Sequence, residues 1–443
     1  MDGLTRKEFL AASGVAAGAL WAGNALGVAG VGGPDPAEAA AAMQAAVASG
    51  SQDQFEKARG LIQSNWYLPV EDLDPGEMRI SFLGSSFTAR RAQAMNSVFI
   101  EVGTGQSFVF DLGSGTISQY TAMGIPSSRM TRVFLTHLHA DHMSDLVALY
   151  CFGPAHDRKT PLHIYGPSGP ILRGKEYTEQ GTQAFCKNLL ALCRWHSDAM
   201  SFLSTGLKAT DTRPPVDGYE VVPHELRYRQ NPGVAYSDGD VVIRHFPAAH
   251  DRDGSISYRL EFNGMSVVFS GDTKPTDWMY ENAKGVDVLI HEMALSVNAW
   301  VNHLAGYYKK TDPLMYEQAY EQMAEVQANS HTPEKAFGEC MAQCKPRLGV
   351  ITHCHFNQDT FIPAITTVRQ SYKGPLAWAV DGTVLNLKPG EAITQRQALT
   401  SDFAWDLTTK GYKPSEVADP KYHGPYAQFS AYTMRHILPG YKP

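Results

Sequence analysis

Short apolar runs that end in possible ligand side chains recur along the chain. Residues 133–135, 267–269 and 348–351 have the length and the aliphatic or aromatic composition of buried strands. A His or an Asp follows each run within three residues, and residues 241–250 end in the same way, at His250. Because strands of an α/β sheet deliver the residues that follow them to a common edge, the pattern predicts an α/β fold with one site beyond its strand ends.

The ligand-bearing residues are densest in the heptapeptide Thr-His-Leu-His-Ala-Asp-His at positions 136–142. His137 and His139 can point in one direction, while Asp141 and His142 can turn toward a second ion. Imidazole and carboxylate ligands without thiolates suit zinc, with manganese or iron as further possibilities. The alternative is a surface loop that happens to be rich in histidine. Only 16 histidines are spread over 443 residues, which argues against a chance cluster in this order.

Three later residues can complete a two-metal site. His250, Asp272 and His353 each stand where an apolar run ends. Taken singly, a histidine at a strand end is more often structural than a ligand. Together with the heptapeptide, these residues supply enough imidazole and carboxylate groups for two adjacent cations.

Several segments between positions 80 and 387 carry motifs of a known family. They are Phe-Leu-Gly-Ser-Ser at 82–86, Phe-Asp-Leu-Gly-Ser-Gly-Thr at 110–116, the heptapeptide, Ile-Tyr-Gly-Pro at 164–167, Ser-Gly-Asp-Thr at 270–273, Leu-Ile-His-Glu at 289–292, Ser-His-Thr at 330–332 and Ile-Thr-His at 351–353. With these motifs the chain resembles the metallo-β-lactamase superfamily and, within it, the ribonuclease Z-like branch. The resemblance implies a four-layer αββα sandwich with a two-metal site at one edge.

The resemblance also implies a ligand set for two divalent ions, with Zn²⁺ as the first expectation and Mn²⁺ or Fe²⁺ as alternatives. One ion would be held by three imidazoles, and the second by a carboxylate and two imidazoles, with one aspartate bridging both. The first ion would be held by His137, His139 and His250. The second would be held by Asp141, His142 and His353, and the bridging aspartate would be Asp272.

Catalytic roles come from the same resemblance. A water shared by two zinc ions would lose a proton near neutral pH and act as a bridging hydroxide nucleophile. His331 would donate a proton to the leaving group, and Glu292 would orient His331. Asp141 would also accept a hydrogen bond from the nucleophilic water. Without the family, His331 and Glu292 could equally be a surface histidine and a strand-end acid.

Composition agrees with a catalytic domain of ordinary size. The 443 residues are 43% hydrophobic and 19% charged, which allows a sizeable core. The expected ligands span positions 137 to 353, so one domain must contain them. A net charge of −7 and a pI near 6.1 argue against general affinity for nucleic acid.

The N-terminal sequence predicts export. Arg6 and Lys7 precede an Ala- and Gly-rich apolar stretch, and Ala37-Glu38-Ala39 offers a cleavage signal. The segment resembles a twin-arginine signal peptide with Lys7 in place of the second arginine, which implies a periplasmic or secreted protein. The alternative is an uncleaved membrane anchor or an ordinary amphipathic helix. No later run reaches the ~18 apolar residues of a membrane span.

The sequence therefore predicts four segments. They are a signal peptide at 1–39, a helical lead-in at 40–75, a catalytic domain at 76–390 with insertions at about 171–235 and 295–328, and a C-terminal extension at 391–443. Within the domain, residues 376–387 are expected to form a short hairpin or a bent strand that closes the sandwich. The Pro- and Tyr-rich C-terminal extension would pack on its own subunit or on a neighbour, so a homodimer is possible.

The two insertions bear on the substrate. Relatives that process transfer RNA bind it with a basic arm. Basic and acidic residues nearly balance in 171–235, which argues against recognition of tRNA by this insertion. Trp300, His303, Tyr307 and Tyr308 lie in the other insertion and could roof the site and select an apolar or ring-bearing substrate, or could serve ordinary packing.

Four functions remain open. The leading one is an exported two-metal hydrolase of a small phosphodiester, ester or lactone, with a small-molecule substrate and no nucleic-acid partner. The second is a ribonuclease Z that cleaves the 3′ trailer of precursor tRNA. The third is a β-lactamase-type amide hydrolase. The fourth is a metal-binding protein without catalysis, and the complete ligand set argues against it.

Overall fold

Two β-sheets pack face to face between two layers of helices in the structure, a computed structural model, which describes residues 61–67, 72–205 and 218–399. The strands in chain order are β1 (Leu61–Tyr67), β2 (Met78–Gly84), β3 (Ser97–Val102), β4 (Ser107–Phe110), β5 (Arg132–Phe134), β6 (Leu162–Pro167), β7 (Ile171–Leu172), β8 (Lys175–Glu176), β9 (Val221–Leu226), β10 (Gly233–Asp238), β11 (Val241–Pro247), β12 (Ile256–Phe262), β13 (Met265–Phe269), β14 (Val288–Glu292), β15 (Leu348–Thr352), β16 (Leu376–Trp378), β17 (Thr383–Leu387) and β18 (Ile393–Leu399).

The helices follow the strands or connect them. In chain order they are α1 (Thr116–Ala122), α2 (Ala140–Met143), α3 (Leu146–His156), α4 (Thr182–Thr205), α5 (Asp277–Ala283), α6 (Val297–Ala305), α7 (Tyr308–Thr311), α8 (Pro313–Ser330), α9 (Glu334–Cys344) and α10 (Gln358–Ser371).

Each sheet combines antiparallel and parallel pairing. The first has nine strands in the order β1-β18-β17-β2-β3-β4-β5-β6-β9, and the second has seven in the order β10-β11-β12-β13-β14-β15-β16. Strands β4, β5, β6 and β9 pair in parallel, and so do β13 to β16. Parallel neighbours point their carboxyl ends the same way, so β5, β13 and β15 deliver the loops that follow them to a common edge.

The core between the sheets is built largely from aromatic side chains. Phe110 and Phe134 of the nine-stranded sheet meet Tyr258 and Phe269 of the seven-stranded sheet at ring-centroid distances of 5.6 to 5.9 Å. Edge-to-face and tilted contacts of this kind favour a fixed packing of the two sheets.

The outer faces of both sheets are covered by helices. Tyr120 of α1, Tyr150 of α3 and Leu189 of α4 join a second apolar cluster on the nine-stranded sheet. Met279 of α5 and Phe337 of α9 join a third on the seven-stranded sheet. Several strands are therefore buried on both faces, and their sequences read as apolar runs rather than as alternating patterns. The predicted α/β fold with four αββα layers is confirmed.

The predicted helical lead-in is wrong where the structure describes it. Residues 61–67 form strand β1, which pairs in parallel with β18 from Leu61↔Ile393 to Tyr67↔Leu399. Ile62, Trp66 and Tyr67 favour strands, and β18 offers its free edge, which outweighs the helical tendency of the preceding sequence. The rest of the lead-in, at 40–60 and 68–71, lies outside the described residues, as does the predicted signal peptide.

The catalytic domain extends beyond its predicted end at residue 390. Strand β18 pairs antiparallel with β17 and belongs to the nine-stranded sheet through Leu399. Because β18 is the next strand in the chain after β17, a short connection is enough to pair the two. Residues 400–443 of the predicted C-terminal extension lie outside the described residues.

The two predicted insertions belong to the fold more closely than expected. Within 171–235, α4 covers the nine-stranded sheet and β9 forms its last strand, paired with β6. Residues 295–328 are mostly helical, with α6 and α8 joined by the short α7 rather than forming a loop.

Residues 376–387 do not form a hairpin. Strand β16 belongs to the seven-stranded sheet and β17 to the nine-stranded one, so the chain crosses between sheets at 379–382. The Asp381 carboxylate stabilises this crossing, because it accepts hydrogen bonds from Ser85 Oγ at 2.9 Å and from the Ala94 N–H at 2.6 Å. The alternative expectation, a single bent strand, also differs from the structure, because β16 and β17 are separate strands in different sheets.

Within the described part of the chain, every helix is too short or too polar to cross a membrane.

Candidate metal centre

The seven predicted ligands meet at one edge of the sandwich. His137 and His139 lie in the loop after β5, and the short helix α2 carries Asp141 and His142. The other three follow strands β11, β13 and β15, as the strand-end pattern predicted: His250, Asp272 and His353.

Three imidazoles form one group. His139 Nδ1 lies 3.0 Å from His137 Nε2 and 3.2 Å from His250 Nε2. Ring nitrogens at these distances carry lone pairs that repel one another unless a proton or a cation lies between them. This group is the one expected for the first metal ion.

Two aspartates and two histidines form the second group. Asp141 Oδ2 lies 3.2 Å from His142 Nε2 and 3.0 Å from His353 Nε2. Asp272 Oδ1 lies 3.2 Å from His142 Nε2 and 3.3 Å from His353 Nε2. These are the residues expected for the second ion.

Asp272 divides its two oxygens between the groups. While Oδ1 faces His142 and His353, Oδ2 lies 3.9 Å from His137 Nε2 and 3.8 Å from His250 Nε2. A carboxylate with one oxygen turned to each group has the arrangement of a bridging ligand.

The residues fit divalent cations. In the described part of the chain, His142 Nε2 and Asp272 Oδ1 are buried and make no hydrogen bond, although buried polar atoms ordinarily have a partner. The ligand atoms within each group lie within 4.8 Å of one another. Imidazole nitrogen and carboxylate oxygen are the ligands that zinc and neighbouring transition metals accept.

A buried aspartate that the sequence reasoning did not assign fixes two of the ligands. Asp111 Oδ2 accepts hydrogen bonds from His142 Nδ1 at 2.7 Å and from Thr136 Oγ1 at 2.8 Å, while its Oδ1 accepts from the Thr136 N–H at 2.8 Å. The Thr136 hydroxyl donates its proton to Asp111. Thr136 Oγ1 therefore acts as the acceptor toward His137 Nδ1, 3.1 Å away. Both histidines therefore keep Nε2 free for a metal ion.

The backbone is strained at this edge. Asp111 has φ 56° and His353 has φ 58°, in the left-handed region that residues other than glycine rarely adopt. Gly271 has φ 58° and approaches Thr136 so closely that an added Cβ would lie 2.6 Å from the Thr136 Cβ. Glycine at this position lets the loop that carries Asp272 reach the heptapeptide.

Gln93 holds the strained loop around His353. Its side chain, 2% exposed, donates to the Cys354 carbonyl at 3.1 Å and to Ser85 Oγ at 2.9 Å, and accepts from the Phe356 N–H at 2.9 Å. Arg90 bonds the Gln93 amide oxygen and donates to the Phe356 carbonyl at 3.0 Å. These contacts fix the backbone at Cys354 and Phe356, one and three residues after His353.

His331 and Glu292 form a pair beside the two groups. His331 Nδ1 lies 3.0 Å from both Glu292 oxygens, so it donates to the carboxylate and leaves Nε2 free. The Thr273 N–H donates to Glu292 Oε1 at 2.8 Å and holds the carboxylate in place. The His331 ring centroid lies 5.0 Å from that of His250 and 5.7 Å from that of His353.

Charges in the site shift several pKa values. Burial alone would lower the pKa of His142, but Asp272, Asp141 and Asp111 raise it well above its ordinary value. Burial likewise opposes the charged form of His331, but Glu292 raises the pKa of His331 to about 9. His331 is therefore protonated at neutral pH in the metal-free protein.

Comparison with known proteins agrees with this geometry. The family model described as the metallo-beta-lactamase superfamily matches residues 91–284, which include the heptapeptide, His250 and Asp272. Residues 91–284 are therefore similar to the metallo-β-lactamase superfamily domain. This is the superfamily that the sequence motifs indicated, and the matched residues include six of the seven candidate ligands.

Ribonuclease Z enzymes are among its similar proteins. Ribonuclease Z of Mycobacterium bovis is 30% identical over 204 residues, 44% of this chain and 62% of that protein. Ribonuclease Z of Anoxybacillus flavithermus is 27% identical over 301 residues, 60% of this chain and 90% of that protein. Human tRNase Z, short form, aligns with a TM-score of 0.46 at 18% identity, covering 69% of this chain and 98% of that one. The chain thus spans less than two thirds of the mycobacterial relative.

All nine predicted site residues lie together, and further residues join them. Asp111 and Gln93 were not singled out, although Asp111 ends an apolar strand within the motif at 110–116 and so carried a sequence signal. Nothing in the sequence marked Gln93. Of the aromatic residues at 300–308, Trp300 reaches the site, with its ring centroid 5.7 Å from that of His331, while Tyr307 and Tyr308 are exposed and pack on each other.

Proposed function

We propose that this protein is a two-metal hydrolase of a small phosphodiester, and that the ions are two Zn²⁺, with Mn²⁺ or Fe²⁺ as alternatives. The observation that carries the proposal is the bridging placement of Asp272, with one oxygen toward each ligand group, beside the His331–Glu292 pair. When bound, such ions lower the pKa of a water molecule and stabilise developing negative charge.

The residues of the chain then have separate tasks. His137, His139 and His250 would hold one ion and Asp141, His142 and His353 the other, with Asp272 available to both. Asp141 is also the most exposed carboxylate of the second group, with 21% of its side chain accessible, so it can orient a water molecule.

His331 serves as the proton donor to the leaving group. Glu292 accepts the Nδ1 proton, which turns Nε2–H toward the substrate side of the ring, and it stabilises the charged imidazolium. A dedicated proton donor matters most where the leaving oxygen is a basic alkoxide or phenolate. This favours a phosphodiester over an activated ester, and it leaves carboxyl esters and lactones as alternative substrates.

Turnover by the metal-loaded protein tests this assignment. We would compare p-nitrophenyl phosphodiesters, a p-nitrophenyl carboxyl ester, a lactone and nitrocefin, with His331→Ala alongside. The proposal expects the phosphodiester to be preferred and the defect of His331→Ala to reach about 10²–10⁴-fold with the most basic leaving group. The defect should grow as the leaving group is made more basic. A preference for the ester, lactone or nitrocefin, or an equal defect with all leaving groups, would contradict it.

Processing of precursor tRNA is the second candidate. It is favoured by the ribonuclease Z relatives, one of which matches over 90% of its own length. Incubation of the metal-loaded protein with a precursor tRNA distinguishes the two candidates. Cleavage at the 3′ trailer at rates above those with the small phosphodiester would make nucleic acid the substrate.

We further propose that the protein is exported through the signal-like segment at 1–39. The support is the Arg6-Lys7 start and the small-residue cleavage signal that ends at Ala39. N-terminal sequencing of protein from the periplasm and medium should find a chain that begins near residue 40. Full-length protein confined to the cytoplasm would contradict export.

A further inference from the structure

Four aromatic rings lie beside the candidate metal centre, and each is close to two of the others. Ring centroids are 5.4 Å apart for Phe87 and Trp300, 5.7 Å for Trp300 and His331, 5.7 Å for His331 and His353, and 6.0 Å for His353 and Phe87. Two of these rings belong to the proposed proton donor and to a proposed ligand. The other two have no role in the mechanism described above.

The loop after β2 holds Phe87 rigidly. One face of its ring stacks on His355 at 4.2 Å and 18°. Thr88 Oγ1 lies 2.8 Å from His355 Nε2, and His355 is only 7% exposed, so the imidazole under Phe87 is fixed. Phe87 itself is half-buried, and its ring centroid lies 6.0 Å from that of His353.

Trp300 lies on helix α6. The Ser296 side chain caps this helix by accepting from the Ala299 N–H, and the neighbouring Val301 is fully buried. Trp300 Nε1 is buried and makes no hydrogen bond with any described residue, so hydrogen bonding does not explain an indole here. Its ring is half-buried and crosses the Phe87 ring at 65°. The indole offers apolar ring surface next to the proton donor.

We infer that Phe87 and Trp300 form a subsite for a planar ring on the leaving group of the substrate, so that the protein prefers aryl or nucleobase-bearing phosphodiesters to alkyl ones. This inference rests on the proposed function, because it is the proton-donating role of His331 that makes Trp300 a neighbour of the leaving group. A ring stacked against an indole or phenyl face gains contact that an alkyl group of similar polarity cannot make.

Binding of two phosphonates to the metal-loaded protein, measured by calorimetry, tests the subsite without relying on turnover. Phenylphosphonate and methylphosphonate share the anionic group and differ in the ring. We expect phenylphosphonate to bind about tenfold more tightly, from the usual strength of aromatic contacts. Trp300→Leu should reduce this preference to below about threefold, mainly by weakening phenylphosphonate, while Trp300→Phe should retain most of it.

Trp195→Leu is the matched control, because Trp195 is 83% exposed on α4 in the outer helix layer. It should keep the full preference. Equal affinities for both phosphonates in the wild type, no binding of either, or an equal loss of both in Trp300→Leu would overturn the subsite. Turnover of bis(p-nitrophenyl) phosphate by the same preparation separates the two proposals: absence of turnover with an intact ring preference would contradict the proposed function alone.

Discussion

Replacement of Asp111 by asparagine should weaken the binding of one of the two metal ions. Asp111 accepts three buried hydrogen bonds, two from Thr136 and one from His142. An asparagine side chain has almost the same shape but only one acceptor oxygen, and its amide nitrogen must face a donor in either orientation. The substitution therefore changes the hydrogen-bond chemistry around His142 with little change in packing.

The two orientations have different costs. If the amide nitrogen faces the Thr136 N–H, two donors oppose each other in a buried site, which costs about 1–3 kcal/mol of stability. If the amide nitrogen faces His142 Nδ1, the imidazole must shift its proton to Nε2, the atom that faces Asp141 and Asp272. A histidine protonated at that nitrogen cannot bind a metal there. Loss of such an orienting group typically weakens metal binding about 10- to 100-fold, or ~1.4–2.7 kcal/mol.

Competition titration of metal-free protein with Zn²⁺ against a chromophoric chelator measures this effect. We expect one equivalent bound as in the wild type and the other bound about 10- to 100-fold more weakly. Asp238→Asn is the control, because Asp238 is an exposed carboxylate that accepts from Gln106 Nε2 at 2.8 Å. Two equivalents bound by Asp111→Asn with wild-type affinity would refute the reasoning about His142.

Four further predictions concern stability and the proton donor. Gln93→Leu removes the four hydrogen bonds that the Gln93 side chain makes, and it should lower the free energy of unfolding by about 2–4 kcal/mol in a denaturant titration. The exposed Gln322→Leu should change the free energy of unfolding little. Gly271→Ala should lower the free energy of unfolding by about 2–4 kcal/mol, because the added methyl group brings both backbone strain and overlap with Thr136. Gly264→Ala is the control, at φ 74° with open space, and should lower it by about 1–2 kcal/mol from strain alone. Glu292→Gln should lower the pKa of His331 from about 9, because burial remains while the largest charge that opposes it is lost; an NMR titration that finds no change would contradict this. Removal of metal with a chelator should lower the melting temperature, and re-addition of zinc should restore it.

The fold and the clustering of the candidate ligands were predictable because the information is local. Apolar runs such as 348–351 are buried on both faces of a sheet, and the ligand follows within the next few residues. Parallel pairing then brings distant ligands together without any further signal in the sequence.

The supporting contacts were not predictable in this way. Gln93 bonds residues 354 and 356, more than 250 positions away, and no periodicity marks such a pair. Residues 61–67 form a strand rather than the predicted helix because they pair with β18, which is also distant in the sequence. Strands β16 and β17 are only five residues apart but join different sheets, because local alternation specifies strands and not their partners.

The central claim is that two ions, bridged by Asp272, are needed for hydrolysis. Stepwise addition of Zn²⁺ or Mn²⁺ to metal-free protein, with bound metal and phosphodiester turnover measured on the same samples, tests it most directly. The account predicts two bound equivalents per chain and turnover that rises with the second. Full turnover at one equivalent, or saturation at a single bound ion, would contradict it.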